Sequence, residues 1–248
     1  MVSFSLSLHF SLSVDKTLYS LFGTNDHQDL ELKINGKKIS RVENCKYLGI
    51  FIDDGLSWKE HIDYVYKKLV KFTSIFYKIR TKLNNDILKM IYFAFVYPQI
   101  LYGIEIYGNT NHTFLHKLEV LNNKILRILQ NRPIRSHTIE LYRNYDTLPL
   151  PLLHNYQILL FVHKFVHHTD KLPNVFKSYF TKNQFIHRYD TREKFSFHMI
   201  ATRTTFGKRL IKYKGSQMWN NLPENLKSIR STSVFKYHLR NFLLIHTL

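Results

Sequence analysis

The stretch from Lys46 to Ile62, KYLGIFIDDGLSWKEHI, is where the chain changes its period. Tyr47 to Ile52 reads as an apolar strand and Asp53-Asp54-Gly55 as a turn. Ser57 with Glu60 three residues on is an S-x-x-E capping box that opens a helix. Upstream the signals are β. Leu18 to Phe22 is an apolar run ended by Gly23, Leu30 to Ile34 alternates with period two, Asn35-Gly36 is a hairpin turn, and Lys37 to Val42 returns. Downstream, Ile62, Val65, Tyr66, Leu69, Phe72 and Phe76 recur at three- and four-residue spacing, one apolar face of a helix.

Further helices follow from the same signals. One is predicted from Asn85-Asp86 through Leu88, Ile91, Phe95 and Val96 until Pro98 disturbs it. Another runs from Thr113 to Gln130, with Leu115, Leu118, Leu121, Ile125 and Ile128 inward and Pro133 ending it. Helices are also predicted over 138–148, 152–168, 215–222 and 232–244, the last with Phe235, Leu239 and Phe242 inward, while 181–214 reads as irregular. Trp58 and Trp219 read as core anchors. The fold class is α+β and mainly helical: a small N-terminal antiparallel β-sheet over 1–56, a helical region over 57–135 and a basic helical region over 136–248.

Charge separates these regions. Residues 1–56 carry 6 Lys/Arg against 7 Asp/Glu, and 57–248 carry 30 against 11, so the formal charge of +18 belongs to the helical part. Such a surface suits a polyanion. The candidate phosphate contacts are Lys67, Lys68 and Lys71 on the helix after Trp58, and Lys117, Lys124 and Arg127 on the outward face of the helix from Thr113. Arg188, Arg192, Lys194, Arg203, Lys208 and Arg209 join them from 181–214, where 9 Lys/Arg against 2 Asp/Glu are interleaved with Phe185, Tyr189, Phe195, Phe197, Phe206 and Tyr213. A single cysteine, Cys45, excludes an intrachain disulfide and points to an intracellular setting. No apolar run reaches transmembrane length, so no membrane role is expected. The opening MVSFSLSLHFSLSV lacks the basic flank of a signal peptide.

A series of short boxes then lines up along the chain. They are Leu12-Ser13-Val14-Asp15-Lys16-Thr17, the Tyr47-Leu48-Gly49 to Ile62 stretch, Pro98-Gln99-Ile100-Leu101-Tyr102-Gly103, Tyr107-Gly108, Leu126-Arg127-Ile128, Tyr189-Asp190-Thr191-Arg192, Trp219-Asn220-Asn221-Leu222-Pro223 and Phe235-Lys236. In this order the chain resembles the end of the palm, the thumb and the tail of non-LTR (LINE-type) retrotransposon reverse transcriptases, with the Jockey-like branch nearest. It departs at Ser13 and Asp190, where the family has Asn, at Tyr107, where it has Trp, and at Leu101, one place late. The resemblance implies a palm-end remnant over 1–56, a thumb over 57–135 and a tail over 136–248. It also implies that the metal-binding carboxylates, which intact members use with Mg2+, lie upstream of this chain, so no cofactor is expected here.

Phe51-Ile52-Asp53-Asp54 matches the catalytic hairpin by letters alone. It follows the Lys16-Thr17 box instead of preceding it and sits at a strand-to-helix turn, so these are read as turn carboxylates near a helix N-terminus. Lys16 stands where the family has a palm lysine, and reads here as a surface residue. His163, His167 and His168, like His112 and His116, have helical spacing that invites zinc, but with one cysteine and no matched acidic partner they read as amphipathic-helix histidines. The family's Cys/His zinc knuckle has no counterpart. The expectation is a reverse-transcriptase remnant without polymerase activity of its own, binding RNA or an RNA–DNA duplex. The alternative is a domesticated docking module without a nucleic-acid role. An enzyme using Asp53 and Asp54 is the third reading. A sheet deprived of its palm is also expected to expose apolar surface to a protein partner.

Overall fold

A computed structural model describes residues 13–23, 30–186 and 192–245. Six short strands come first: β1 (Leu18–Tyr19), β2 (Lys33–Ile34), β3 (Lys37–Lys38), β4 (Ser40–Arg41), β5 (Asn44–Tyr47) and β6 (Ile50–Asp53). Where one sheet was expected, they form three two-stranded ribbons. β2 pairs with β3 and β5 with β6 antiparallel, while β1 pairs with β4 in parallel. The Tyr47–Ile52 run is not one strand but the two arms of a hairpin. Leu48 and Gly49 hold positive φ (46° and 84°), as do Asn35 and Gly36 (50° and 78°), so both hairpins close through two-residue turns of the mirror-image type that matches strand twist.

Helices α1 (Lys59–Ile79) and α2 (Asn85–Ile91) follow, the latter capped by the Asn84 side chain, which accepts from Ile87 N at 2.9 Å. The disturbance expected at Pro98 is local, and helix resumes beyond it. A π turn over Tyr92–Val96 widens the ladder ahead of the imino ring, and α3 (Tyr97–Leu101) continues beyond it. The short α4 (Ile104–Tyr107) leads to α5 (His112–Leu129), whose Leu115, Leu118, Leu121, Ile125 and Ile128 are buried as expected. Next come α6 (Thr138–Asn144), α7 (Leu150–His167), α8 (Thr205–Arg209), α9 (Ile211–Asn220), α10 (Glu224–Lys227) and α11 (Thr232–Ile245). The segment read as irregular therefore contains α8, capped by Thr204 Oγ1 on Gly207 N at 3.0 Å, and the first turn of α9.

α1 and α5 lie side by side and parallel. Lys117 near the start of α5 pairs with Asp63 near the start of α1, and beyond their C-terminal ends Asn131 Nδ2 donates to Arg80 O at 3.3 Å. α7 packs on α4, α9 and α11. One contiguous apolar core runs from Ile62 to Leu244, with Trp219 buried in it and Trp58 packed against it. Inside it Tyr92 Oη donates to Asn122 Oδ1 (3.2 Å), Asn122 Nδ2 to Tyr142 Oη (3.1 Å) and Tyr142 Oη to Asn123 Oδ1 (2.6 Å). This linked polar chain satisfies groups that would otherwise be costly to bury. Among the described residues no helix is long and apolar enough to cross a membrane.

Candidate nucleic-acid interface

Three of the sequence boxes, over 47–62, 98–103 and 107–108, join the β5–β6 ribbon to the helices. Tyr102 Oη donates to Leu48 O, and its ring lies against Gly49. Gly103 takes φ +72°, and a Cβ there would lie 2.5 Å from Ile50 Cδ1, so the Tyr-Gly pair fits where no bulkier residue would. His61 is buried against the Tyr107 ring at 4.9 Å, and burial, with Lys68 adding to it, pushes its pKa down to about 4. A Cβ on Gly108 would lie 2.7 Å from the His154 ring.

Asp53 holds the turn that leads into α1. Its Oδ1 accepts from Ser57 N at 2.6 Å and its Oδ2 from Trp58 N at 2.7 Å and from Ser57 Oγ at 3.3 Å. The predicted Ser57/Glu60 capping box does not form. Trp58, at φ 61°, is the residue before the helix, and the Asp53 carboxylate already occupies the donors that precede it. Asp53→Ala, which removes the charge-assisted hydrogen bonds that hold this turn, is expected to cost about 1–2 kcal/mol in urea unfolding, while Asp54→Ala stays within about 0.5 kcal/mol. Equal effects of the two substitutions would contradict this role in the turn. Lys16 is exposed at the end of a single 3-10 turn.

His163, His167 and His168 place Nε2 at 2.7, 2.9 and 2.9 Å from the carbonyls of Ile229, Lys227 and Arg230. A carbonyl only accepts, so each ring carries its proton on Nε2, and the three histidines clasp the turn between α10 and α11. In the Trp-Asn-x-Leu-Pro box, Asn220 accepts from Phe197 N (2.9 Å) and donates to Phe197 O (2.8 Å), tying the segment from 196 to 198 to α9.

The basic residues fall into two groups. Lys67, Lys71 and Lys124 are exposed on α1 and α5, and Arg192, Arg203 and Lys208 are exposed in the tail. Arg209 is half-buried, and Lys194 stands over the Phe195 ring at 5.1 Å. The others are engaged within the fold. Lys68 Nζ donates to Gln99 Oε1 at 3.2 Å and lies 4.5 Å from the Tyr64 ring centre. Lys117 pairs with Asp63, and burial and then Lys59 lower its pKa. Arg127 Nη2 donates to Ser136 O at 3.1 Å. Arg188 lies outside the described residues. Of the interleaved rings, Phe185, Phe195 and Phe206 are exposed, Phe197 is buried and Tyr213 is half-buried.

Exposed cations that the spacing argument passed over extend the α1/α5 surface. Between Asp63 and Asp86 there are six Lys/Arg and no carboxylate, including the exposed Lys78 and Lys82. Between Glu119 and Glu140 there are four, including the exposed Arg132 and Arg135. These two acid-free runs were legible in the sequence; that parallel helices bring them together was not.

No protein-family model matches the chain, and no solved structure matches it. Among curated proteins it is similar to the RNA-directed DNA polymerase from mobile element jockey of Drosophila funebris, with 32% identity over 112 residues, 43% of this chain and 12% of that protein. The protein of the same name from Drosophila melanogaster is 28% identical over 116 residues, 46% of this chain and 13% of that protein. In agreement with its ordered sequence boxes, the chain is similar over somewhat less than half of its length to these jockey polymerases, and the matched stretch spans about an eighth of theirs.

Proposed function

We propose that this chain grips RNA, or an RNA–DNA duplex, through the phosphate backbone and without sequence preference, as the thumb and tail of a Jockey-like reverse transcriptase do not need to read bases to hold their template. The acid-free cationic runs on the parallel pair α1 and α5 are the observation that carries this reading. In the tail, the exposed rings of Phe185, Phe195 and Phe206 beside basic residues suit stacking on unpaired bases. We further propose that the chain does not transfer nucleotides by itself. This rests on Asp53, whose carboxylate is occupied by the backbone N–H groups leading into α1, whereas two-metal phosphoryl transfer needs carboxylates free to hold the ions.

The test is binding of the purified chain to a labelled RNA–DNA hybrid across a salt series, with nucleotide incorporation measured on the same sample. Affinity is expected to fall steeply with salt. Reversing Lys67, Lys71 and Lys124 to Glu together is expected to weaken binding at least about tenfold at low salt and to flatten the log–log slope by roughly 2–3. Incorporation of nucleotides would refute the proposed lack of activity.

A second reading has its own observation. Leu18, Phe22, Leu30, Leu32, Tyr47 and Leu48 are exposed on and around the ribbons, an apolar surface suited to a protein partner. Absent or salt-insensitive binding to the hybrid would favour that docking role.

A further inference from the structure

We propose that His112, His116 and Glu119 form a binding site for one zinc ion on the first two turns of α5. At positions i, i+4 and i+7 the three side chains share one face of the helix. One potential ligand atom from each lies within 4.8 Å of the others, and His116 Nδ1 is 3.6 Å from Glu119 Oε2. The imidazoles of His112 and His116 are stacked at 5.4 Å with 24° between their planes. Around a tetrahedral zinc with bonds of about 2.0–2.1 Å, ligand atoms stand roughly 3.3 Å apart, so small side-chain rotations close this set on an ion.

The chemistry of the donors selects the cation. Two imidazoles and one carboxylate suit zinc among the borderline divalent metals, whereas Mg2+ and Ca2+ prefer all-oxygen sets. Three protein ligands leave the fourth position to water or an incoming oxygen ligand. Both histidines are exposed, and Glu119 is half-buried, which restrains the carboxylate beside them. The positive end of the α5 dipole opposes a cation here, but it lowers affinity only a few-fold. The acidic partner that the sequence reading did not find for His112 and His116 is therefore Glu119, one further turn along the same face. This site is independent of the nucleic-acid reading and of the clasp made by His163, His167 and His168, whose Nε2 atoms are already bonded.

The test is calorimetric titration of zinc chloride into the full chain, combined with protection of individual histidines from diethyl pyrocarbonate read by mass spectrometry. One equivalent is expected to bind in the micromolar range, with His112 and His116 protected. His116→Ala is expected to weaken binding at least tenfold and Glu119→Gln several-fold, both with an unchanged circular dichroism spectrum, since His116 is exposed and Glu119→Gln is nearly isosteric. Unchanged affinity in His116→Ala, protection confined to other histidines, or no binding at all would each overturn the site.

Discussion

Phe235→Ala is expected to destabilise the protein by roughly 3–5 kcal/mol, in the range of large-to-small changes at fully buried aromatics. Phe235 on α11 is 0% exposed and stacks on the His163 ring at 4.1 Å with 14° between planes, with Trp219 at 6.0 Å. Removing the ring opens a cavity between α7, α9 and α11. It also withdraws the surface against which His163 is held while its Nε2 bonds to Ile229 O. Against a typical domain stability of about 5–15 kcal/mol this is a large fraction. The same truncation at Tyr237, on the exposed side of α11, is expected to stay within about 0.5 kcal/mol. Urea unfolding of the two variants checks this. A loss below about 1 kcal/mol for Phe235→Ala would mean that α11 is not an integral part of the core.

Acidification from pH 6.5 to 4.5 is expected to destabilise the protein strongly, before most of its carboxylates protonate. His154 is buried on α7, and burial, with Lys214 adding to it, pushes its pKa down to about 3; that of His61 is down at about 4, and burial lowers that of His163 as well. In the unfolded chain these groups titrate near 6.5. Between that value and the depressed ones the unfolded chain binds more protons than the folded one, so stability rises with pH across this window. The contribution is complete above about pH 6.5 and is lost as pH falls toward 4 and then 3. At pH 4.5 His154 and His61 together account for a loss of roughly 3–5 kcal/mol, to which His163 adds in the same direction. The lowered Asp146, paired with Lys89 at 2.8 Å, adds a loss of the same sign only at lower pH. Lys214, pushed down to about 8 by burial with its Nζ 3.2 Å from His154 Nδ1, sets a second window in which stability rises from about pH 8 upward. The measurement is urea unfolding from pH 8 to pH 4.5 for the parent and for His154→Leu. The variant should show a shallower dependence between pH 6.5 and 4.5. An identical slope would mean that His154 does not carry the effect.

Local pattern was sufficient wherever a residue's own chemistry or its spacing decided the outcome. Asn35-Gly36 announced its hairpin because both residues tolerate positive φ, and α2 starts at Asn85 as expected, although the side chain that caps it is Asn84, just ahead of the Asn85-Asp86 pair. The inward row of α5 followed from periodicity because burial of an apolar face selects that spacing. The turn at Leu48-Gly49 was not legible, since leucine carries no signal for φ of 46° and takes it where Tyr102 anchors the Leu48 carbonyl. The π turn before Pro98 was hidden in the same way, because a proline alone does not say whether the surrounding packing will carry a helix past it.

Hydrophobic periodicity, charge distribution and the order of the boxes thus determined the mainly helical α+β class, the basic character of the helical part and the similarity to jockey polymerases. Packing decided which polar groups meet. The Asp53 carboxylate reaches the N–H groups ahead of α1, Lys68, Lys117 and Arg127 find partners on other elements, and His163 and His167 of α7, with His168 just beyond it, find carbonyls some 60 residues away. Sequence spacing records only neighbours on the same element, whereas a hydrogen-bond partner is chosen by which elements the buried core brings side by side.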